Sequence, residues 1–347
     1  MKNATVVVVS LALGAGFAQA APTLNYSDVL KLALEKGSDL ASQKSTLDTA
    51  KANLVALTAD SSTLITPLTQ AQQSVQLENL RLSFVKLQVV QNVLSAYLGV
   101  LEAQENLNVL KAQVDLNQMS LDVAKAKLAT KNATQLDVSK AQNTLNSSQQ
   151  DLKNAQASFP VLQEKLNAYT AGSLPDSYIV SQPKFDLKLQ KLDELLKGST
   201  ENLPTLLQAM QSVALNTMTV QFSDNDYTPK NTLDSAKASL ENAQRNLSTL
   251  KTSSTTSIKD AFQSLNNALE KSKAASEDLK TSQATLAQDQ VKYKNGQISR
   301  YSLKQTETSV LSSEQSVLQA QDSYLKAVAS LAVASGTDAL NVIGGVE

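Results

Sequence analysis

The sequence predicts a mainly all-α protein: tandem long antiparallel coiled-coil hairpins that form an α-helical barrel on assembly, with at most short β segments. Three observations lead there. Two tracts of the 347-residue chain are almost free of helix breakers, their apolar residues recur every seven positions, and one tract repeats the other at a fixed offset.

Proline and glycine cost roughly 3 and 1 kcal/mol in a helix interior. Between Pro67 and Pro160 there is no proline and the only glycine is Gly99; from Lys230 onward there is no proline and the first glycine is Gly296. The spacing predicts helices over 69–129 and 135–169, turning near Lys131-Asn132-Ala133-Thr134, and over 232–294 and 299–335, turning at Asn295-Gly296-Gln297. At 1.5 Å per residue the longer member of each pair is roughly 90 Å. The globular average is only about 11–12 residues.

Val114, Leu121 and Leu128 lead into the first turn, and Val138, Leu145, Leu152, Phe159 and Leu166 lead away. Ile258, Leu265, Leu279, Leu286 and Tyr293 approach the second; Leu303, Val310, Val317, Tyr324 and Leu331 leave it. A strict seven-residue period implies left-handed supercoiling. Three residues on stand small side chains (Ala141, Ser148 and Ala155; Ser313, Ala320 and Ala327) that let helices approach closely.

One constant shift in numbering superimposes the two seams, from Val114 on Leu279 to Leu166 on Leu331, and carries Ser147-Ser148-Gln149-Gln150 onto Ser312-Ser313-Glu314-Gln315. We read this as duplication: an export signal at 1–20, a first helical-hairpin repeat at 21–172, a linker at 173–184 and a second repeat at 185–347. Each repeat has a shorter preamble. In the first, Ser27 is the expected N-cap and Gly37 the stop. The second is expected as a helix over 185–196, a break at Gly198-Ser199-Thr200, and a further helix from Pro204 through Val213.

Composition removes several functions. The chain has no Cys, His or Trp, which excludes disulfides, thiol chemistry, imidazole catalysis and Cys/His metal sites. Its net charge of −1 gives no reason to expect nucleic acid. Lys2, the apolar run 4–17 and Ala18-Gln19-Ala20 read as a removable signal, leaving an exported chain. Asp224-Asn225-Asp226 lacks the glycine and glutamate of a calcium loop. No phosphate-binding glycine loop or nucleophile elbow occurs. We therefore expect no enzyme, no cofactor and no metal.

A hairpin with one narrow apolar stripe leaves Gln, Asn, Ser and Thr facing water. A ring of hairpins around an aqueous lumen satisfies that pattern, and so does a plain multi-stranded rod. The duplicated hairpin with matched bends favours the ring, since a rod does not need it.

The opening helix with its Ala33-Leu34-Glu35-Lys36-Gly37-Ser38-Asp39-Leu40 run, the turn Lys292-Tyr293-Lys294-Asn295-Gly296-Gln297-Ile298-Ser299, and the closing Tyr324–Gly336 segment resemble the TolC-type outer-membrane efflux channel family. The resemblance implies a homotrimer with an α-helical cylinder through the periplasm, a β-barrel of four strands per protomer in the outer membrane, and an equatorial belt around 169–185 and the C-terminal tail. It places Lys131, Asn132, Thr134, Asn295, Gly296 and Gln297 at the periplasmic tip, facing the adaptor of an inner-membrane pump. It points to Asp137, Arg300, Ser302, Lys304 and Gln305 as the entrance lining, a mouth with cations where the best-known members carry carboxylates.

One departure is large. A membrane-crossing strand needs about 9–11 residues. The candidate segments near Leu64 and Ile65, and near Val220, Phe222 and Tyr227, hold only short membrane-proximal strands, and no aromatic girdle accompanies them. The expected function is thus a duct of a tripartite efflux or type I secretion system, conducting passively through a trimeric α-barrel. The alternative is a barrel-less periplasmic coiled coil that tethers or spaces envelope layers. A pump adaptor is disfavoured because no β-rich flanking domain is present.

Overall fold

The computed structural model describes residues 22–185, 187 and 189–341; the expected signal at 1–20 lies outside them. In chain order the elements are β1 (Thr23–Leu24), α1 (Tyr26–Lys36), α2 (Ser38–Ala59), α3 (Ile65–Ala129), α4 (Gln135–Ala168), β2 (Ile179–Val180), α5 (Leu192–Asn202), α6 (Pro204–Ser223), α7 (Lys230–Lys294) and α8 (Arg300–Ser335). The four long helices stand where the breaker-free tracts put them.

The two halves of the chain share one helix layout. Helices α3 and α7 both have 65 residues. The offset that aligns the seams also carries Ile65 onto Lys230 and Ala129 onto Lys294, the starts and ends of these helices. It likewise carries Gln135, the start of α4, onto Arg300, the start of α8. Helices α1 and α5 both have 11 residues, and α2 and α6 have 22 and 20.

The helices form a layer. Helix α3 packs against α2 and α4 within its own repeat and against α6 and α8 of the other; α6 and α8 in turn pack against α7. Gln211 Nε2 donates to the Gln73 carbonyl at 2.9 Å, holding α6 antiparallel to the upper part of α3. Gln91 Nε2 donates to Ser330 Oγ at 3.0 Å and Gln315 Nε2 to Asn106 Oδ1 at 3.1 Å, holding α8 antiparallel to its lower part. That antiparallel order puts both hairpin bends at one end and the α2–α3 and α6–α7 connections at the other. Among the described residues two edges remain without a neighbour: α7 on one side, α2 and α4 on the other.

Every seam residue predicted from the seven-residue period is buried or half-buried except Tyr293, and the small companions are likewise shielded. The thick core is elsewhere, at mid-height. Val29, Leu30, Val90, Val93, Leu94 and Leu98 are nearly fully buried there, together with Val328 and Leu331. Strand β1 pairs in parallel with β2, Thr23 opposite Ile179 and Leu24 opposite Val180. The Tyr97 hydroxyl reaches the carbonyls of Leu24 (2.9 Å) and Ser181 (2.6 Å), and the Tyr26 ring stacks edge-on against Tyr97 and Phe185. Ala339 and Leu340 close the same cluster. By length and composition α3 is apolar enough to cross a membrane, but 50% of its apolar window is buried in the chain's own interior.

Three expectations are corrected. Helix α1 starts at Tyr26 with Asn25 as its N-cap, so Ser27 lies inside its first turn. Helix α5 begins at Leu192 and runs through Gly198-Ser199-Thr200 without a break. A single glycine costs only about 1 kcal/mol, and burial of Leu195 and Ser199 outweighs it. The stop falls at Leu203, held extended before Pro204, as steric clash with a proline ring requires. Finally, the short strands near Leu64, Ile65, Val220, Phe222 and Tyr227 do not form. Leu64 caps α3, Ile65 opens it, Val220 and Phe222 belong to α6, and Tyr227 lies in the α6–α7 turn. The polar residues that suggested alternation instead bond back along the helix: Thr217 and Thr219 Oγ1 donate to the Val213 and Leu215 carbonyls at 2.8 and 2.9 Å.

Candidate functional site

The two hairpin bends have one design. In the first, the backbone N–H groups of Thr130, Lys131 and Asn132 donate to the carbonyls of Ala126, Leu128 and Lys127 at 3.2, 2.9 and 2.8 Å. In the second, Asn295, Gly296 and Gln297 donate to Val291, Tyr293 and Lys292 at 3.0, 2.9 and 2.8 Å, so every donor and acceptor is the repeat equivalent of the first set. Bonds of this kind satisfy carbonyls that a helix end leaves open, and they require a left-handed residue just past it. Lys131 (φ 61°) and Gly296 (φ 70°) fill that role.

The departing helices are capped at equal positions. Thr134 Oγ1 accepts from the Asp137 N–H at 3.3 Å, while Asp137 Oδ2 accepts from the Thr134 N–H and hydroxyl, both at 2.8 Å. Those bonds hold the Asp137 carboxyl below the usual carboxylate range. Ser299 Oγ accepts from the Ser302 N–H at 3.1 Å. Lys131, Asn132, Thr134, Asn295, Gly296 and Gln297 thus share one end of the molecule, all exposed.

Of the five expected entrance residues, Asp137 is engaged in its cap. The Arg300 guanidinium lies 5.9 Å over the Tyr293 ring and pairs with Glu307 at 3.2 Å. Ser302 completes the α8 cap, Lys304 is half-buried, and Gln305 Nε2 reaches the Tyr301 hydroxyl at 3.4 Å. Nearby, Asp289 Oδ2 accepts from Thr306 Oγ1 at 2.7 Å across the α7–α8 hairpin, and Asp289 also pairs with Lys292 at 2.9 Å.

The opposite end, the apex, is two short connections, 60–64 and 224–229. Asp60 Oδ1 accepts from the Ser62 N–H and hydroxyl at 2.9 and 2.6 Å. Leu64 is 73% exposed and Tyr227 95%, with Ile65 and Phe222 also open to solvent. Neither connection reaches the length of one membrane-crossing strand.

Sequence reasoning missed a charged group at mid-height between the repeats. Asp322 on α8 is 1% exposed, and Lys326 Nζ bonds Glu102 Oε1 of α3 at 2.7 Å beside it. Burial first, then the charge of Glu102, pushes the Asp322 carboxyl up to about 7, against the pull of Lys326. Asp322 lies on the α8 face toward α3, which a single-stripe heptad reading does not follow.

Residues 209–337 match the family model described as outer membrane efflux protein. No curated protein matches the chain. Among solved structures, a membrane protein from Pseudomonas aeruginosa aligns with a TM-score of 0.66 at 13% identity, over 94% of this chain and 99% of that one. The Campylobacter jejuni CmeC outer membrane channel aligns with a TM-score of 0.67 at 12% identity, over 96% and 94%. The Vibrio cholerae outer membrane protein VceC aligns with a TM-score of 0.64 at 14% identity, over 90% and 96%. At these identities the solved structures speak for the fold: the helical architecture is shared along nearly the whole chain.

Proposed function

We propose that this chain, whose residues 209–337 match the outer membrane efflux protein family model, is the duct of a tripartite efflux or type I secretion system, passing small molecules or protein through a trimeric α-barrel. The observation that carries the reading is the open layer with its two unpartnered edges. One protomer offers α7 on one side and α2 with α4 on the other; side-by-side association of copies covers both, and three copies close a ring. The polar faces of these helices then line water.

In this reading the repeats, at 21–172 and 185–347 with a linker at 173–184, supply neighbouring wall segments. Lys131, Asn132, Thr134, Asn295, Gly296 and Gln297 face a periplasmic adaptor and its inner-membrane pump. Asp137, Arg300, Ser302, Lys304 and Gln305 surround the entrance, and Leu64, Ile65, Val220, Phe222 and Tyr227 lie nearest the outer membrane. The wall conducts passively; nothing in it calls for a cofactor.

The short helical apex favours a second reading, a periplasmic coiled coil that tethers or spaces envelope layers. Planar-bilayer recording of the processed protein separates the two. The duct gives stable single-channel steps. Silent bilayers, together with purely soluble fractionation, support the spacer instead.

A further inference from the structure

Helices α3 and α8 join the two repeats, and their contact changes character along its length. On the apex side it is apolar, with Leu94, Leu98, Val328 and Leu331 nearly fully buried. Toward the bends it becomes acidic. Helix α3 brings Glu102 and Glu105, and α8 brings Glu314, Asp322 and Lys326, so four acids face one base. Lys326 pairs with Glu102 at 2.7 Å. Among the described residues this is the one ion pair that joins two helices.

Asp322 is left without a cation of its own. It is 1% exposed, and its Oδ2 is buried with no hydrogen-bond partner among the described residues. The charged groups that act on it are Glu102 and Lys326, and Glu102 lies within hydrogen-bonding reach. At the rim of the contact, the Glu314 carboxyl is held above the usual range by desolvation first and then by the charge of Glu105. The other elements packed against α8 bring no compensation. The Ser282–Ser313 bond sets Lys273 of α7 level with Asp322, where Lys273 pairs with Glu270 at 2.8 Å and both stay exposed. The belt meets α8 through a neutral bond from Gln182 Nε2 to Gln321 Oε1 at 2.9 Å, and α5 closes on the end of α8 with Asn202 against Gly336. Two carboxylates sharing a site resist ionising together, and a proton held between them supplies the donor that both lack. Once that proton leaves, the buried carboxylate is relieved only by admitting water.

We propose that Asp322, Glu102 and Lys326 form a proton-operated latch between the two repeats: α3 and α8 stay together on the bend side of the apolar core while the carboxyl pair holds a proton, and part there when it is lost. The apolar core is the fixed point, so the parting grows toward the bends. Local opening draws on the stretches with the fewest buried apolar contacts, as this one is. The latch lies within one chain and stands whether copies build a duct or a spacer.

The chain has no cysteine, so spin labels can be placed in chosen pairs. Gln118→Cys with Ser312→Cys spans α3 and α8 on the bend side of the latch, and Thr281→Cys with Ser312→Cys spans the α7–α8 hairpin as a reference; all three sites are exposed. Pulsed electron paramagnetic resonance then reads both distances in the purified full-length protein, diluted in unlabelled copies. The α3–α8 distance should be short well below pH 7 and lengthen as pH rises through about 7, while the reference distance holds. Asp322→Asn keeps a buried donor and has no proton to lose, so it should stay short throughout. Glu102→Gln should move the midpoint to lower pH and Lys326→Met to higher pH, by roughly one unit each. Opposite shifts are beyond a merely structural role, and a variant that misfolds disturbs the reference pair as well. A wild-type α3–α8 distance that ignores pH overturns the proposal. So does a transition that survives Asp322→Asn, or midpoints that move the same way in the other two variants.

Discussion

Lys131 and Gly296 hold the same left-handed backbone conformation, φ 61° and 70°, at equivalent places in the two hairpin bends. Glycine adopts this conformation freely and lysine does so under strain. A Cβ at Gly296 would meet nothing within 4 Å, so backbone strain alone separates the two sites. Lys131→Gly should stabilise the fold by up to about 1 kcal/mol and Gly296→Val should destabilise it by about 1–2 kcal/mol. Urea unfolding of both variants measures the difference, and effects of the opposite sign would refute the shared-bend assignment.

Val310 is buried in the α7–α8 seam at 7% exposure, while Leu286 faces it half-buried. Aspartate at either position places a carboxylate against apolar side chains, at a cost of several kcal/mol when burial is complete. Val310→Asp should therefore lower the melting temperature more than Leu286→Asp, and both should weaken assembly. Wild-type melting with retained oligomers in both variants would contradict the seam.

Much of this architecture was legible. The breaker-free tracts set the four long helices, because tens of residues without Pro or Gly leave the helix no competitor, and the seven-residue period marked the seam that is now buried. The preambles and apex were less legible. In α5, burial of Leu195 and Ser199 overrode Gly198, and around Val220 a local alternation yielded to packing of α6 along α3 and α7 and to threonine hydroxyls bonding back along the helix. The α3–α8 contact was not legible at all, since Glu102, Asp322 and Lys326 lie on faces that one stripe does not describe.

That contact makes stability depend on pH. Asp322 rises from 3.8 to about 7 on folding, so the folded protein holds a proton that the unfolded chain releases. Stability from this group is fully present below about pH 4, falls as pH rises toward 7, and is level above it, a loss of at most about 4 kcal/mol. Asp322→Asn should flatten the curve between pH 4 and 7 and stabilise the protein at pH 8. Denaturant midpoints across that range decide it; an unchanged slope in the variant would remove Asp322 from the account.

Tyr97 ties the belt together, since its hydroxyl reaches the carbonyls of Leu24 and Ser181 on both sides of the β1–β2 pair. Tyr97→Phe keeps the ring and leaves the half-buried Ser181 carbonyl short of a donor, at about 1–3 kcal/mol, while the Leu24 carbonyl keeps the Ser181 N–H at 3.1 Å. Limited proteolysis should then cut faster within 169–185 than in the wild type, with the hairpins still protected. Unchanged cleavage would mean that the hydroxyl does not hold the belt.

The ring is the claim on which the functional account depends, and native mass spectrometry of the purified protein tests it most directly. The account predicts a particle of three copies, its α7 edges covered by neighbouring protomers. A single copy as the only stable species would contradict it.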